Sequence, residues 1–443
     1  ISAQVSPLQV DTLKETKIPD QWDLQSCIDY AKEQNITIRK NRITAASTQI
    51  DVKTAKAAMF PSLSFSTGQQ VVNRPYQETS SRVSGSEIIS SNSKTSYNGN
   101  YGLNASWTLY NGNKRLKTIQ QEKLNNQMAE LDVATSENNI QESIAQVYIQ
   151  ILYAAESVKV NENTLQVSIA QRDRGQELLN AGSIAKSDLA QLEAQVSTDR
   201  YQLVTAQATL EDYKLQLKQL LELDGENEMN IYLPALSDEN VLAPLPTKRD
   251  VYISALSLRP EIEASKLNVE ASELGINIAK SSYFPTISLS AGIGTNHTSG
   301  SDFTFGEQVK NGWNNSIGLS VSVPIFNNRQ TKSAVQKAKL QYETSMLSLL
   351  DEQKALYKTI ESLWLDANSA QQRYAAANEK LKSTQISYEL ISEQFNLGMK
   401  NTVELLTEKN NLLQAQQEQL QAKYMAILNT QLLKFYQGDQ LAL

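Results

Sequence analysis

The residue types that most often carry chemistry are scarce in these 443 residues: there is one cysteine, Cys27, and one histidine, His297. A lone cysteine cannot close an intrachain disulfide, and a lone histidine without a cysteine beside it removes most metal-site arrangements, so no metal site is expected. Cys27 falls on a predicted helix beside Ile28 and reads as a small buried packing residue. His297 falls in a polar stretch between two strands, without ligand-type neighbours, and reads as an exposed residue. The stretch GIGTNHTSG over 292–300 has the glycines of a phosphate loop but lacks its lysine-serine ending, and no helix follows directly. No nucleophile–base pair stands out, so neither an enzyme nor a bound cofactor is expected. Two carboxylates, Asp188 and Glu404, fall near the starts of predicted long helices. There a negative charge stabilises the helix dipole by ~0.3–1 kcal/mol.

The elements that position these residues are not those of a globule. Only 40% of the chain is hydrophobic and its mean hydropathy is −0.41, with Gln, Asn, Ser, Ala, Leu and Glu filling the long middle stretches. That is the composition of extended helices with narrow apolar seams. A net charge of −7 argues against a nucleic-acid partner, which demands a basic face. No run of ~18 apolar residues predicts a transmembrane helix, and no basic-then-apolar leader precedes Ile1, which reads as a processed or trimmed N-terminus. Such a chain can still cross lipid as strands, each needing only ~9–11 alternating residues.

The sequence is written twice. AKAAMFPSLSFS at 55–66 returns as AKSSYFPTISLS at 279–290, pairing Phe60 with Phe284 and Pro61 with Pro285 at an offset of 224. GLNASWTLYNGNKR at 102–115 returns as GLSVSVPIFNNRQT at 318–331, and LLNAGSIAKSDLAQLEAQ at 178–195 as QFNLGMKNTVELLTEKNN at 394–411, both at offset 216. The lost residues fall in Ser/Asn/Gly-rich stretches, 77–100 and 294–315, which read as loops. Each half therefore runs helix, strand, polar loop, strand, very long helix, tight turn, long helix. The expected division is an N-terminal polar extension 1–21, a first repeat 22–223, a linker 224–249 rich in proline and acid, a second repeat 250–435 and a tail 436–443.

The strands, expected at about 61–73, 99–110, 285–295 and 315–326, alternate with period two. Leu103, Ala105, Trp107 and Leu109 alternate with Asn104, Ser106 and Thr108; Ile317, Leu319, Val321, Val323 and Ile325 alternate with Ser316, Gly318, Ser320, Ser322 and Pro324. Any half-buried antiparallel sheet packed on helices shows such alternation. Two details favour a lipid-spanning barrel: the polar face is small and uncharged, as a watery lumen requires, and Trp107, Tyr110, Trp313 and Phe326 stand near strand ends where aromatic girdles sit. Four strands cannot close such a barrel and open edges cannot sit in hydrocarbon, so two, three or more chains must share one.

From Lys114 to Asn180 no proline interrupts and Gly175 is the one glycine, so the segment could approach ~100 Å as a helix. Heptad-like seams run through Ile140, Ile144, Val147, Ile151, Ala154 and Val158, and through Leu203, Ala206, Leu210, Tyr213, Leu217 and Leu220. In the second half the seam reads Val403, Leu406, Leu413, Leu420, Tyr424 and Ile427, with Asn410 and Gln417 as polar seam positions that set register. Helical hairpins are expected over 114–222 with a tip at 181–184 and over 329–434 with a tip at 397–400, glycine ending each incoming helix and Ser183 or Asn401 opening the outgoing one.

The duplicated A-x-x-x-(F/Y)-P-x-(L/I)-S motif, the strand-to-helix exits WTLYNGNKR and VPIFNNRQT, and the two glycine-centred tips together resemble one family, the TolC-like outer-membrane efflux proteins, over most of 22–435. The resemblance implies a mainly α fold with a β-barrel portion: a homotrimer whose twelve strands form one barrel in outer-membrane lipid, continuous with a periplasmic tunnel of helices. It implies an exit duct for an efflux or secretion system, working with a periplasmic adaptor (membrane fusion) protein and an inner-membrane transporter, and adaptor contact at the hairpin tips, here Gly182, Ser183, Gly398 and Met399. Aligned through Gly398, Lys400 matches the family's basic tip residue, Phe395 its aromatic partner and Asp188 the acid they engage. Phe395 lacks the family's hydroxyl, which leaves a Lys400–Asp188 attraction of ~0–1 kcal/mol if exposed. Glu404 matches the first of two acidic lumen positions and Thr407 the second, so one carboxylate ring is expected where the family has two, with milder cation selectivity. The rival architecture is a non-membrane coiled-coil scaffold or secretion adaptor whose small sheet packs internally.

Overall fold

A computed structural model describes residues 19–76, 80–84, 87–91, 94–224, 229–234, 241–299, 301 and 303–442. Residues 1–18 of the expected extension, and 225–228 and 235–240 of the expected linker, lie outside the described residues. In chain order the elements are α1 (Leu24–Gln34), α2 (Ile36–Ala57), β1 (Ser62–Asn73), β2 (Ser80–Ser84), β3 (Glu87–Ser91), β4 (Thr95–Asn111), α3 (Lys114–Asn180), α4 (Lys186–Leu220), α5 (Lys248–Leu258), α6 (Pro260–Ser281), β5 (Thr286–Thr298), α7 (Phe305–Asn311), β6 (Asn314–Ser322), α8 (Gln330–Asn396) and α9 (Thr402–Gln437). The chain is mainly α-helical with a small antiparallel sheet. It divides into a helical unit (Ile1–Thr44, Ala129–Ser265, Leu349–Leu443) and a sheet-bearing unit (Ala45–Met128, Lys266–Ser348).

In the helical unit, α1 starts because Asp23 and Ser26 cap each other: Asp23 Oδ1 accepts from Ser26 N at 2.7 Å and Ser26 Oγ from Asp23 N at 2.9 Å. One face of α1 (Leu24, Cys27, Ile28, Ala31) enters a core with Ile144, Tyr148, Ile151 and Leu152 of α3, Leu217 of α4, Tyr374 of α8 and Leu420, Tyr424 and Ile427 of α9. Each of the buried leucines and isoleucines contributes about 1.5–3 kcal/mol through burial. Cys27 is fully buried, and desolvation, reinforced by the Asp23 charge, pushes its thiol pKa up to about 12, so it is inert packing. The described parts of the 224–249 segment are tied to these helices. Tyr148 donates its hydroxyl to Tyr232 O at 2.6 Å, Trp364 Nε1 to Pro246 O at 3.0 Å, and Trp22 bridges to Ile231.

In the sheet-bearing unit the order is β1-β4-β5-β6, every neighbouring pair antiparallel, while β2 and β3 form a separate hairpin. The 77–100 stretch expected as a loop thus holds the β2–β3 hairpin and the start of β4, because the β1–β4 ladder continues to Asn73↔Thr95. The 294–315 stretch is likewise not all loop. β5 runs on to Thr298, and α7 is opened by Thr304, which receives Glu307 N while Glu307 Oε2 accepts from Thr304 N at 2.8 Å. β6 stops at Ser322 rather than near 326, since Pro324 has no N–H to continue a ladder. Period two also breaks once: β4 shifts register between Thr108 and Tyr110, so Leu109 is the extra residue and Tyr110 lies opposite Ile287.

Both halves leave the sheet through the same backbone device. Gly112 and Asn113 take φ of 66° and 62°, and the repeat-related Asn328 and Arg329 take 50° and 65°. Only the first half needs glycine, since a Cβ on Gly112 would stand 2.6 Å from Ser281 O. Gly112→Val is therefore expected to destabilise the chain by about 2 kcal/mol or more, and Asn328→Gly to be neutral or slightly stabilising, by thermal unfolding of the purified protein.

Candidate functional site

Register makes the two faces of the sheet chemically opposite. On one face stand rows such as Leu63, Ala105, Ala291 and Ile317, or Trp107, Leu289 and Leu319. The other carries Ser62, Ser106, Ser290 and Gly318, Ser64, Asn104, Gly292 and Ser316, or Thr108, Ser288 and Ser320, without a charged residue in these rows. The apolar face is bare: Phe65 is 67% exposed, Ile317 78% and Leu319 64%. Within the chain, therefore, the sheet is not packed internally on the helices. Within the chain β1 and β6 are the sheet's outer strands. Among the described residues no helix is long and apolar enough to cross a membrane.

Of the aromatics named near strand ends, Trp107 stays on β4 and donates Nε1 to Met59 O at 2.8 Å, and Tyr110 follows the bulge. Trp313 precedes β6, and Phe326 follows it, 84% exposed. His297 is not the exposed loop residue expected. It is a half-buried member of β5, opposite Gly99, with ring centroids 5.8 Å from Tyr101, 5.3 Å from Tyr97 and 5.0 Å from Phe305. The loop reading missed it because ordinary strand continued through a glycine- and asparagine-rich segment.

The two hairpin tips are built alike. After α3, Ser183 N reaches Leu178 O at 2.8 Å and Gly182 N reaches Leu179 O at 2.9 Å; after α8, Met399 N reaches Gln394 O and Gly398 N reaches Phe395 O, both at 2.9 Å. Gly182 and Gly398 both sit at φ 74°, the left-handed position such a helix ending requires. Ser183 does not open α4, because it stands two residues before the cap position and belongs to the ending of α3. Ala185 takes the cap position, with its N–H donating to Asp188 Oδ2 at 3.0 Å. Asn401 does open α9, its Oδ1 accepting from Glu404 N at 2.9 Å and Glu404 Oε2 from Asn401 N at 3.2 Å. Asp188 and Glu404 are thus repeat-related residues in one structural role. Leu397 and Met399 project from the second tip, 75% and 70% exposed.

Lys400 donates to Glu404 Oε1 at 2.5 Å, one turn along the same helix, and among the described residues it makes no ion pair with Asp188. The Lys400–Asp188 attraction therefore does not form within the chain; a neighbour four residues away is met without bringing hairpins together. The Lys400 hydrogen bond, then the Asn401 N–H, hold the Glu404 carboxyl below the usual glutamate range. The support this gives the cap is complete above that range and fades as pH falls through the lowered value. Thr407 turns its hydroxyl back to Val403 O at 2.8 Å, and Phe395 is buried, 3% exposed.

Three connections escaped the sequence. The buried seam of α9 near its tip is Thr402, Leu405, Lys409 and Leu412, not Val403, Leu406 and Asn410; Val403 and Asn410 are exposed. Lys409 is buried against Asp199 and Ser168, burial lowering the lysine pKa against the opposing pull of Asp199. Gln171 Nε2 donates to Tyr388 OH at 2.8 Å, and Lys380 pairs with Glu418 at 2.7 Å. The available signal was a lysine spaced four and three from Leu405 and Leu412.

A family model described as outer membrane efflux protein matches residues 27–222 and 251–438. The chain is 24% identical over 294 residues to the outer membrane efflux protein BepC of Brucella suis, covering 66% of this chain and 61% of that one. It is also 24% identical over 294 residues to the outer membrane protein TolC of Escherichia coli, covering 64% and 58%. The chain thus spans about three fifths of the length of these relatives. Its fold is similar to that of CusC, crystallised in a study of folding and transmembrane channel formation, with a TM-score of 0.79, 19% identity, and coverage of 94% of this chain and 92% of that one.

Proposed function

The chain belongs to the outer membrane efflux protein family and is an outer-membrane protein; from that premise we propose that it is a channel-tunnel subunit, the exit duct of an efflux or secretion system. The observation that carries this reading is the sheet, with a bare apolar face set in register against an uncharged Ser, Gly and Asn face, and with two outer strands. In hydrocarbon each unpaired backbone group on an open edge costs several kcal/mol, so the sheet is completed by copies of itself. Three copies give a twelve-stranded barrel with the apolar face toward lipid and the hydroxyl face toward a water-filled lumen. The aromatics Trp107, Tyr110, Trp313 and Phe326 serve the membrane interfaces.

The helical hairpins form the periplasmic part, whose tips at Gly182–Ser183 and Gly398–Met399 meet an adaptor protein serving an inner-membrane transporter. Glu404 is the charged ring of the constriction, with Asp188, Lys400, Phe395 and Thr407 around it. Since Lys400 compensates Glu404 and Thr407 carries no charge, the expected cation preference is mild. Single-channel recording of the detergent-purified protein in a planar lipid bilayer tests this. Discrete cation-preferring steps are expected, and Glu404→Gln should bring the cation-to-anion permeability ratio close to unity while conductance persists. Because Glu404 titrates below the usual glutamate range, wild-type preference should survive into mildly acid solution. A well-folded sample that never inserts would defeat the duct reading.

A further inference from the structure

At the end of the sheet away from α2 and α6 stands a cluster of rings that the proposed duct does not use. Along β5 the face that carries Leu289, Ala291 and Ile293 continues through Thr295 and His297, with Tyr101 and Gly99 opposite them on β4. The His297 ring lies over Gly99, where a Cβ would collide with it, and stacks on Tyr101 at an interplanar angle of 20°. Phe305, the first residue of α7, meets the same ring edge-on at 71°. Tyr97 adds a tilted contact and donates its hydroxyl to Gln69 Oε1 at 2.7 Å. His297 Nδ1 is shielded and has no hydrogen-bond partner among the described residues, so the imidazole serves here as a packing ring.

These contacts hold α7 on the side of the apolar face. Thr295, on that face, donates its hydroxyl to Val309 O at 2.7 Å, and Gln308 Oε1 accepts from Thr298 N at 2.8 Å. Gln308 and Val309 are half-buried, while Gly306, Glu307, Lys310 and Asn311 are exposed. Phe305 and Trp313, at the two ends of the helix, are 57% and 56% exposed. A short helix with a polar outer side between open aromatic rings has the make-up of an element at a lipid headgroup layer, with its rings at the boundary with the acyl chains. The height agrees. From Ile287, opposite Tyr110, to Thr295, opposite Tyr101, β5 advances eight residues. At ~3.3 Å per residue and a tilt of ~40° that is about 20 Å, close to the apolar band of about 25 Å between the girdles of a barrel.

We propose that α7 is a foot resting among lipid headgroups at the end of the barrel away from the long helices, and that His297 and Phe305 clamp it to the barrel's outer wall. Glu307, Lys310 and Asn311 meet the headgroups, and Phe305 and Trp313 stand at the start of the acyl chains. The connection between β5 and β6 is thereby held outside the barrel instead of across the channel mouth. This rests on the duct reading, which supplies the lipid around the sheet.

The test is fluorescence quenching of the full chain in phosphatidylcholine vesicles, with a thiol-reactive fluorophore placed through Gly306→Cys, Ser290→Cys or Leu319→Cys. A Cβ at Gly306 meets nothing within 4 Å, so that variant leaves the packing intact, and wild type, whose Cys27 is buried, is the labelling blank. The quenchers are phosphatidylcholines carrying a nitroxide on the headgroup or midway along an acyl chain. The headgroup nitroxide is expected to quench the Gly306 probe severalfold more than the Ser290 probe on the opposite face, while the Leu319 probe responds most to the chain nitroxide. His297→Ala, or Phe305→Ser should the first variant fail to fold, is expected to lower quenching at Gly306 toward the Ser290 level. A Gly306 probe quenched no more than the Ser290 probe, beside a quenched Leu319 probe, overturns the foot and leaves the duct standing. Unchanged quenching at Gly306 in the folded ring variants overturns the clamp. No quenching at Leu319 overturns the duct reading and the foot with it.

Discussion

Leu319→Arg is expected to prevent assembly of the protein in the outer membrane, whereas Ser320→Arg, one residue along the same strand, is expected to leave assembly intact. Leu319 lies opposite Leu289, which lies opposite Trp107, on the bare apolar face. A cation facing lipid on a barrel strand costs about 2–4 kcal/mol near the bilayer midplane, and every copy in an oligomer pays it. Ser320 points the other way, its hydroxyl turned to Ser288 O at 3.4 Å, so a long charged side chain there extends into water in the proposed lumen. The measurement is the amount of heat-resistant oligomer in the outer-membrane fraction. Equal loss from both variants would mean the two faces are not divided between lipid and water, and the reverse order would turn the barrel inside out.

Arg259→Ala should destabilise the helical unit by about 3 kcal/mol. Arg259 joins α5 to α6 and is 5% exposed. Its Nη2 donates to Glu142 Oε1 of α3 at 2.7 Å, and its guanidinium lies 3.6 Å from the Tyr436 ring centroid and 5.1 Å from that of Phe435 on α9. Alanine removes the charge and leaves Glu142 and the two rings without their common partner. Glu142 is partly open to water, which keeps the expected figure near the low end for broken buried pairs. Lysine retains the charge but does not stack on the rings as the guanidinium does, so Arg259→Lys is expected to fall between. Thermal unfolding in detergent checks both, and an Arg259→Ala protein melting with wild type would show that the cluster carries no net stability.

Much of the candidate site is legible in the sequence. Strand faces follow from period two, and the tips from Gly182 and Gly398, because a left-handed residue ending a helix is most cheaply glycine. The cap role shared by Asp188 and Glu404 was also within reach, since the offset of 216 superposes them. What misled was polarity taken for irregularity: 77–100 and 294–315 are rich in Ser, Asn and Gly, yet barrel-type strands carry just those residues on one face. His297 went astray with them. Resemblance points Lys400 to Asp188, while the nearer Glu404 is one turn away.

By itself the sequence determined the doubled order of elements, the two faces of each strand, the uninterrupted length of α3 and the places where hairpins turn. All of these are set by neighbours within a few residues: side chains alternate along a strand, a helix continues until proline or glycine intervenes, and a tight ending needs a left-handed residue. Only the tertiary structure decided that β4 of one half lies beside β5 of the other, that α9 near its tip turns Leu405 and Lys409 rather than Val403 and Asn410 inward, and that Lys409 meets Asp199 and Ser168. Those outcomes depend on which surfaces bury each other across hundreds of residues, and an α-helix with apolar residues on adjoining stripes offers more than one face to bury until its partners choose.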